Sequence, residues 1–83
     1  MQTGIIEVDL HGMDVLKAKN EIYKVLRKAG KSVYRIRLIH GFHGGNAIKE
    51  MIDDEFGYSR EEKVLRVVPG WNPGITELIL REL

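Results

Sequence analysis

Asp9 and His11 are the first two residues whose types and spacing indicate chemistry. They are two positions apart at the end of an apolar segment with the pattern of a strand, so their side chains project from the same face. A carboxylate beside an imidazole fixes the tautomer of the ring and raises its basicity. His11 is therefore a candidate catalytic base toward water or a ribose 2′-hydroxyl. The alternative is structural, with His11 bonded to its own loop and Asp9 holding backbone amides.

A glycine-rich segment follows His40, and three of the five residues from 41 to 45 are glycine. Such a loop lets backbone N–H groups approach a phosphate, and the dipole of a following helix favours the anion. The segment lacks the Gly-Lys-Ser/Thr of a Walker loop and the G-x-G-x-x-G spacing of dinucleotide sites. His40 is a candidate catalytic residue, and the candidate phosphate-binding residues are Gly41, His43, Gly44 and Gly45.

The chain also has residue types that bind metals, namely its three histidines and Asp9. Loop histidines three positions apart are common without metal, so we expect no tightly bound ion. A loosely held magnesium or manganese ion that bridges to phosphate is the remaining option.

Charge is distributed unevenly along the chain, although the formal net charge is only +1. Residues 17 to 37 include eight basic residues and one acid, whereas residues 50 to 62 include six acids and one basic residue. A basic surface can bind a phosphate backbone; the alternative is two solvated faces of opposite sign. The candidate phosphate contacts outside the glycine loop are Lys28, Arg35, Arg37 and Arg66.

Two loop aromatics, Phe42 and Trp71, either stack on an unpaired base or cover the edge of the core.

Hydrophobic periodicity predicts the elements that position all of these residues. Asp14 and Asn46 are predicted helix N-caps, and Gly30 and Gly57 are predicted helix stops. The predicted strands are Ile5 to Leu10, Val33 to Ile39, Lys63 to Val68 and Ile75 to Leu80, with helices between the first three strands.

The order β-α-β-α-β-β predicts an α/β two-layer sandwich with a mostly parallel four-stranded sheet and two helices on one face. The last two strands are predicted to be antiparallel, and Arg35 and Arg37 should lie on the open face. All three histidines follow the carboxyl ends of strands predicted to be parallel. Open α/β sheets bind ligands at that edge, so we expect the histidines to form one site.

Length and composition set limits on the class of protein. A chain of 83 residues predicts a single domain over residues 1–83. Cysteine is absent, which excludes disulfides and thiolate chemistry and, with no signal sequence, leads us to expect a cytoplasmic protein. No apolar run is long enough for a transmembrane helix, so we expect no membrane contact.

Three segments in order resemble the signatures of the Smr (small MutS-related) domain family. The first, L-D-L-H-G in the family, is V-D-L-H-G at residues 8–12. The second, H-G-x-G-x-G, is H-G-F-H-G-G at residues 40–45, with His43 in place of the middle glycine. The third, G-x-T followed by apolar residues, is G-I-T at residues 74–76. The resemblance covers about residues 5–80.

This resemblance implies a fold similar to the C-terminal domain of translation initiation factor three. It also implies binding of DNA or RNA, with endonuclease or nicking activity in several members. Under the resemblance, the activity-linked residues correspond to Asp9, His11, His40, Gly41 and Gly45, and a basic residue near the third strand corresponds to Arg66. The change at His43 either weakens close approach of the backbone to phosphate or adds a proton donor.

Two functions from different classes therefore remain as expectations. The first is an endonuclease that cleaves DNA by hydrolysis or RNA by transesterification. The second is a non-catalytic module that binds nucleic acid or a protein partner, which the near-zero net charge and the altered loop favour. A phosphate sensor is supported only by the glycine loop. DNA or RNA, structured or single-stranded, is the expected partner, with targeting by this domain or by a bound protein.

Overall fold

The computed structural model describes residues 4–41, 45–58 and 60–82. Its elements follow the predicted order, although β2 begins two residues later and β3 three residues later than the pattern predicted. The turn at residues 61–64, in which Val64 N donates to Glu61 O, delays the start of β3. The elements are β1 (Ile5–Asp9), α1 (Val15–Lys28), β2 (Arg35–Ile39), α2 (Ala47–Phe56), β3 (Arg66–Pro69) and β4 (Ile75–Ile79).

The sheet has the order β1-β2-β4-β3. β1 pairs with β2 in parallel, and β4 lies antiparallel to both β2 and β3. The first three strands thus run in one direction, as predicted, but the sheet is mixed rather than mostly parallel in its pairing. The physical reason is that the short turn after β3 reverses the chain and places β4 between β2 and β3. All five residues of β4 are buried, as a central strand requires.

Helix α1 covers one face of the sheet with a buried stripe of Ala18, Ile22 and Leu26. It begins at the predicted cap, because the Asp14 side chain accepts a hydrogen bond of 2.8 Å from Lys17 N. Its end differs from the prediction. Ala29 is the C-cap in an extended conformation, and Gly30 is not among the glycines with positive φ, so the left-handed glycine stop does not form.

Helix α2 packs on the same face through Met51, Ile52 and Phe56. It begins directly after Asn46, but the Asn46 side chain makes no capping hydrogen bond, so the predicted side-chain cap is wrong. The amides of the first turn of α2 therefore keep their hydrogen-bonding capacity for another acceptor. Neither described helix has the length and apolar character needed to cross a membrane.

A hydrogen bond of 2.7 Å from the Tyr23 hydroxyl to Glu55 Oε2 joins α1 to α2. This bond to Glu55 raises the pKa of Tyr23 to about 12, above the ordinary value of about 10. The folded state therefore keeps the tyrosine proton longer than the unfolded state. Its stabilisation is complete below about pH 10 and is lost as the pH rises toward 12.

We expect Tyr23→Phe to lower the free energy of unfolding by about 1 kcal/mol at neutral pH, because it removes this hydrogen bond. The difference between the two proteins should shrink between about pH 10 and pH 12, where Tyr23 ionises in the unfolded chain first. Urea unfolding of both proteins across this pH range measures the effect. An equal difference at every pH would show that the hydroxyl contributes only through packing.

Candidate functional site

The edge at which β1, β2 and β3 end is called here the carboxyl edge; it carries His11, His40, Gly41 and the β3–β4 turn of residues 70–74. The turn belongs to this edge because β3 runs in the same direction as β2. The backbone N–H groups of His40 and Gly41 both donate to Gly74 O, at 2.9 and 3.0 Å. Segments that are distant in sequence are therefore fixed to one another at this edge.

Asp9 and His11 form a hydrogen-bonded pair there. His11 Nδ1 lies 2.8 Å from Asp9 Oδ1, and the same oxygen accepts the backbone N–H of His11 at 3.1 Å. The hydrogen bond from the His11 side chain is the largest of the effects that hold the pKa of Asp9 below its usual range. Because an ionised carboxylate only accepts, Nδ1 carries the proton. The remaining nitrogen, Nε2, belongs to a side chain that is 73% exposed, so it is available to a substrate.

His40 is held differently, because both of its ring nitrogens have partners. Nδ1 lies 2.7 Å from Gly41 O, and Nε2 lies 2.8 Å from the hydroxyl of Thr76. A carbonyl only accepts, so Nδ1 donates; Nε2 of the neutral ring then accepts from the buried Thr76. This arrangement orients His40 and the start of the glycine loop, and it leaves no nitrogen of the neutral ring available for proton transfer.

A cavity of about 490 Å³ opens between the first turns of α1 and α2. Gly41 and Gly45 border it with φ values of +75° and +95°, a conformation that side chains other than glycine rarely adopt. The predicted loop residues Phe42, His43 and Gly44 lie outside the described residues. The described lining includes His11, His40, Gly41, Gly45, Ala47 and Ile48.

The basic candidates do not join this cavity. Arg35 and Arg37 lie on the face of the sheet that the helices do not cover, as predicted. Arg66 is the first residue of β3, so it lies at the far end of that strand from the carboxyl edge. Lys28 is in the last turn of α1, which runs away from the carboxyl edge. The structure therefore divides the candidate residues between two surfaces.

Glu77 is a residue that sequence reasoning missed, as is the Thr76 partner of His40. Glu77 is 3% exposed on β4 and pairs with both Arg35 and Arg37, the latter at 2.8 Å. Arg37 also contacts Glu7 at 3.0 Å, and these two carboxylates raise the pKa of Arg37. Arg66 pairs with Glu82. A single acid inside the apolar run of β4 was the available signal, because a buried carboxylate requires cationic partners.

Metal-ligand geometry is also limited at this edge. Among residues 4–41, 45–58 and 60–82, no three histidine, aspartate or glutamate side chains converge as a metal site. Asp9 is bonded to His11, and Asp14 caps α1. The described residues therefore do not form a metal site from protein ligands alone. A loosely held magnesium or manganese ion that bridges to phosphate stays a prediction, since such ions need only one or two carboxylates from the protein.

Comparison with known proteins bears on the fold and on the family. No protein-family model matches the chain, and no curated protein matches it. Among solved structures, the chain is similar to the crystal structure of the Smr domain of Thermus thermophilus MutS2. The TM-score is 0.80 and the sequence identity is 28%, over 93% of this chain and 99% of that chain. This match confirms the predicted α/β fold and the predicted family resemblance.

Proposed function

Because this chain is similar to an Smr domain over 93% of its length, we propose that it functions as one, binds nucleic acid along the carboxyl edge of its sheet and cleaves RNA there. The observation that supports catalysis is the Asp9–His11 pair, with its 2.8 Å hydrogen bond and its exposed second nitrogen. Asp9 holds His11 in the tautomer in which Nε2 has a free lone pair. This is the form that an imidazole base needs.

The reaction that suits this pair is transesterification. His11 Nε2 takes the proton of a ribose 2′-hydroxyl, and the 2′-oxygen attacks the adjacent phosphorus. The bond from phosphorus to the 5′-oxygen breaks, and the leaving oxygen takes a proton from water. The hydroxide that remains takes the proton from His11, which restores the base. The products are a 2′,3′-cyclic phosphate and a free 5′-hydroxyl, so no oxidant, reductant or cofactor is consumed.

Phosphate binding is assigned to the cavity beside this base. The first turn of α2 borders this cavity, and the Asn46 side chain does not cap its amides. Gly45, which has a positive φ, permits close approach of the backbone to a phosphate. A helix N-terminus of this kind favours an anion. His40 acts as a positioning residue, because its ring is bonded to Gly41 and Thr76. His43 and Gly44 stay predicted phosphate contacts.

The basic side chains on the other surface stay predicted contacts for more distant phosphates. Ion pairs with Glu7, Glu77 and Glu82 reduce the charge that Arg35, Arg37 and Arg66 offer. We therefore assign the main contact to the carboxyl edge. No step is routed through magnesium or manganese, because proton transfer to His11 and attack by the 2′-oxygen proceed without a metal ion; a loosely held ion that bridges to phosphate stays a prediction.

The test is cleavage of an end-labelled RNA strand beside the same strand with 2′-O-methyl groups, each with magnesium, manganese or EDTA. We expect cleavage of the unmodified RNA alone, with cyclic phosphate ends and with activity retained in EDTA. A supercoiled plasmid and a branched DNA serve as further substrates. Cleavage of the methylated strand or of DNA would contradict the transesterification. Binding without cleavage on any substrate would favour a non-catalytic binding module.

A further inference from the structure

The β3–β4 turn carries the single tryptophan of the chain, and its place in the fold points to a substrate class. We propose that Trp71 is a stacking platform for an unpaired base, so that the domain selects single-stranded nucleic acid. This inference rests on the proposed function, because it assumes that nucleic acid lies along the carboxyl edge.

Exposure is the first observation. The Trp71 side chain is 75% exposed, whereas the neighbouring Ile75 is 6% exposed. The ring therefore does not cover the edge of the core, which was the second role that the sequence allowed for Trp71. A large aromatic surface left in water is the type of group that binds a base, since every base has a face on which an aromatic ring can stack.

Rigidity of the turn is the second observation. Gly70 N donates to Ile75 O at 2.9 Å, and Gly74 N donates to the side-chain oxygen of Asn72 at 2.8 Å. The backbone is also packed closely, because a Cβ added to Gly70 would lie 2.5 Å from Ile75 Cγ2. A ring on a turn held in this way loses little conformational entropy when a base stacks on it.

Position relative to the candidate catalytic pair is the third observation. Gly74 O accepts hydrogen bonds from the backbone of His40 and Gly41, so the turn is fixed to the end of β2. His11 follows β1, the next strand along the sheet. Neighbouring strands are about 4.8 Å apart, so the turn and His11 are separated by roughly 10–15 Å. A short single strand can contact both.

Duplex nucleic acid is disfavoured by the same geometry. Its bases are already stacked on one another inside the helix, and exposing one of them costs a few kcal/mol. An unpaired base pays little of this cost. The platform therefore discriminates between strands and duplexes without reading sequence, as aromatic platforms on single-strand binders do.

The experiment measures binding of a labelled oligothymidylate of about twelve nucleotides and of the matching duplex by fluorescence anisotropy. A DNA strand has no 2′-hydroxyl, so the proposed chemistry does not cleave it and the full chain with His11 in place is used. We expect Trp71→Ala to raise the Kd for the single strand about tenfold. Trp71→Phe should retain most of the affinity, and Trp71→Leu should not, because leucine keeps apolar area without a ring.

Tyr58→Ala is the matched control. Tyr58 is also an exposed aromatic, at 88%. It follows the end of α2, so it lies at the end of the sheet far from the carboxyl edge. The Arg60 guanidinium is 5.7 Å from its ring centroid. We expect its substitution to leave the Kd unchanged. The emission of Trp71 gives a second readout, and the single strand should quench it whereas the duplex should not.

The possible outcomes separate this inference from the proposed function. Single-strand binding that survives Trp71→Ala, or equal quenching by the duplex, would overturn the platform and leave the cleavage proposal standing on its own assay. Absence of binding to any nucleic acid, with RNA also intact in that assay, would overturn both. Urea unfolding of Trp71→Ala should match that of the parent, which separates lost stacking from lost folding.

Discussion

Replacing His11 with alanine should lower the rate of RNA cleavage by about 100- to 10,000-fold, the range expected for loss of a positioned base. Affinity for nucleic acid should change little, because one exposed imidazole contributes a small part of the contact. The fold should also be retained, since the His11 side chain is 73% exposed. Single-turnover cleavage of a labelled RNA, with binding measured in parallel, tests both parts of this expectation.

Two controls distinguish proton transfer from a structural role. Asp9→Asn should reduce the rate less than His11→Ala does, because it weakens the orientation of the ring and leaves the base in place. Added imidazole should partly restore cleavage in His11→Ala, since the site is open to solvent. Unchanged cleavage in His11→Ala would remove His11 from the mechanism.

The pH dependence of cleavage gives a further expectation. Because the pKa of Asp9 is held below its usual range, protonation of Asp9 does not account for a loss of activity above about pH 4.

Replacing Glu77 with alanine should lower the free energy of unfolding by about 2–3 kcal/mol. The carboxylate is 3% exposed and holds two guanidinium groups, so its removal leaves a small void and two cations without their buried partner. The expected loss is below the roughly 3–5 kcal/mol of a fully buried pair, because the side chains of Arg35 and Arg37 are 37% and 22% exposed and water can solvate them. For a domain of this size the melting temperature should fall by roughly 10–20 °C.

Glu82→Ala is the matched control for that result. Glu82 also pairs with an arginine, Arg66, but both side chains are more than half exposed. Exposed pairs contribute at most about 1 kcal/mol. Urea unfolding should therefore show a large change for Glu77 and a small one for Glu82. Similar small changes in both variants would show that burial of Glu77 gives its ion pairs no additional strength.

The predicted elements agree with the structure where the signal is local. Apolar spacing located both helices, and Asp14 was identified as a cap from residue type alone, because such caps depend on the nearest amides. The position of β4 between β2 and β3 was not predicted. Strand order depends on which faces bury most surface across the whole sheet, and the alternation of residues within a strand does not carry that information.

The candidate site shows the same division between local and distant contacts. The spacing of Asp9 and His11 was enough to predict that their side chains share a face, and they are hydrogen-bonded in the structure. The bond between His40 and Thr76 spans 36 positions in the chain, so sequence spacing does not reveal it. The partners of Arg35 and Arg37 were missed for the same reason, because Glu77 lies on a strand whose pairing was not known.

The location of β4 has a consequence for the order of events during synthesis. It is the last of the four strands to leave the ribosome, yet it is the only neighbour of β3 in the described sheet and one of two neighbours of β2. β4 also carries Thr76, whose hydroxyl is hydrogen-bonded to His40. Gly74, the residue before β4, accepts hydrogen bonds from the backbone of His40 and Gly41. A nascent chain that stops before β4 therefore lacks the contacts that hold the end of β2 at the carboxyl edge. The proposed RNA cleavage would accordingly begin only after nearly all of the described residues have been made.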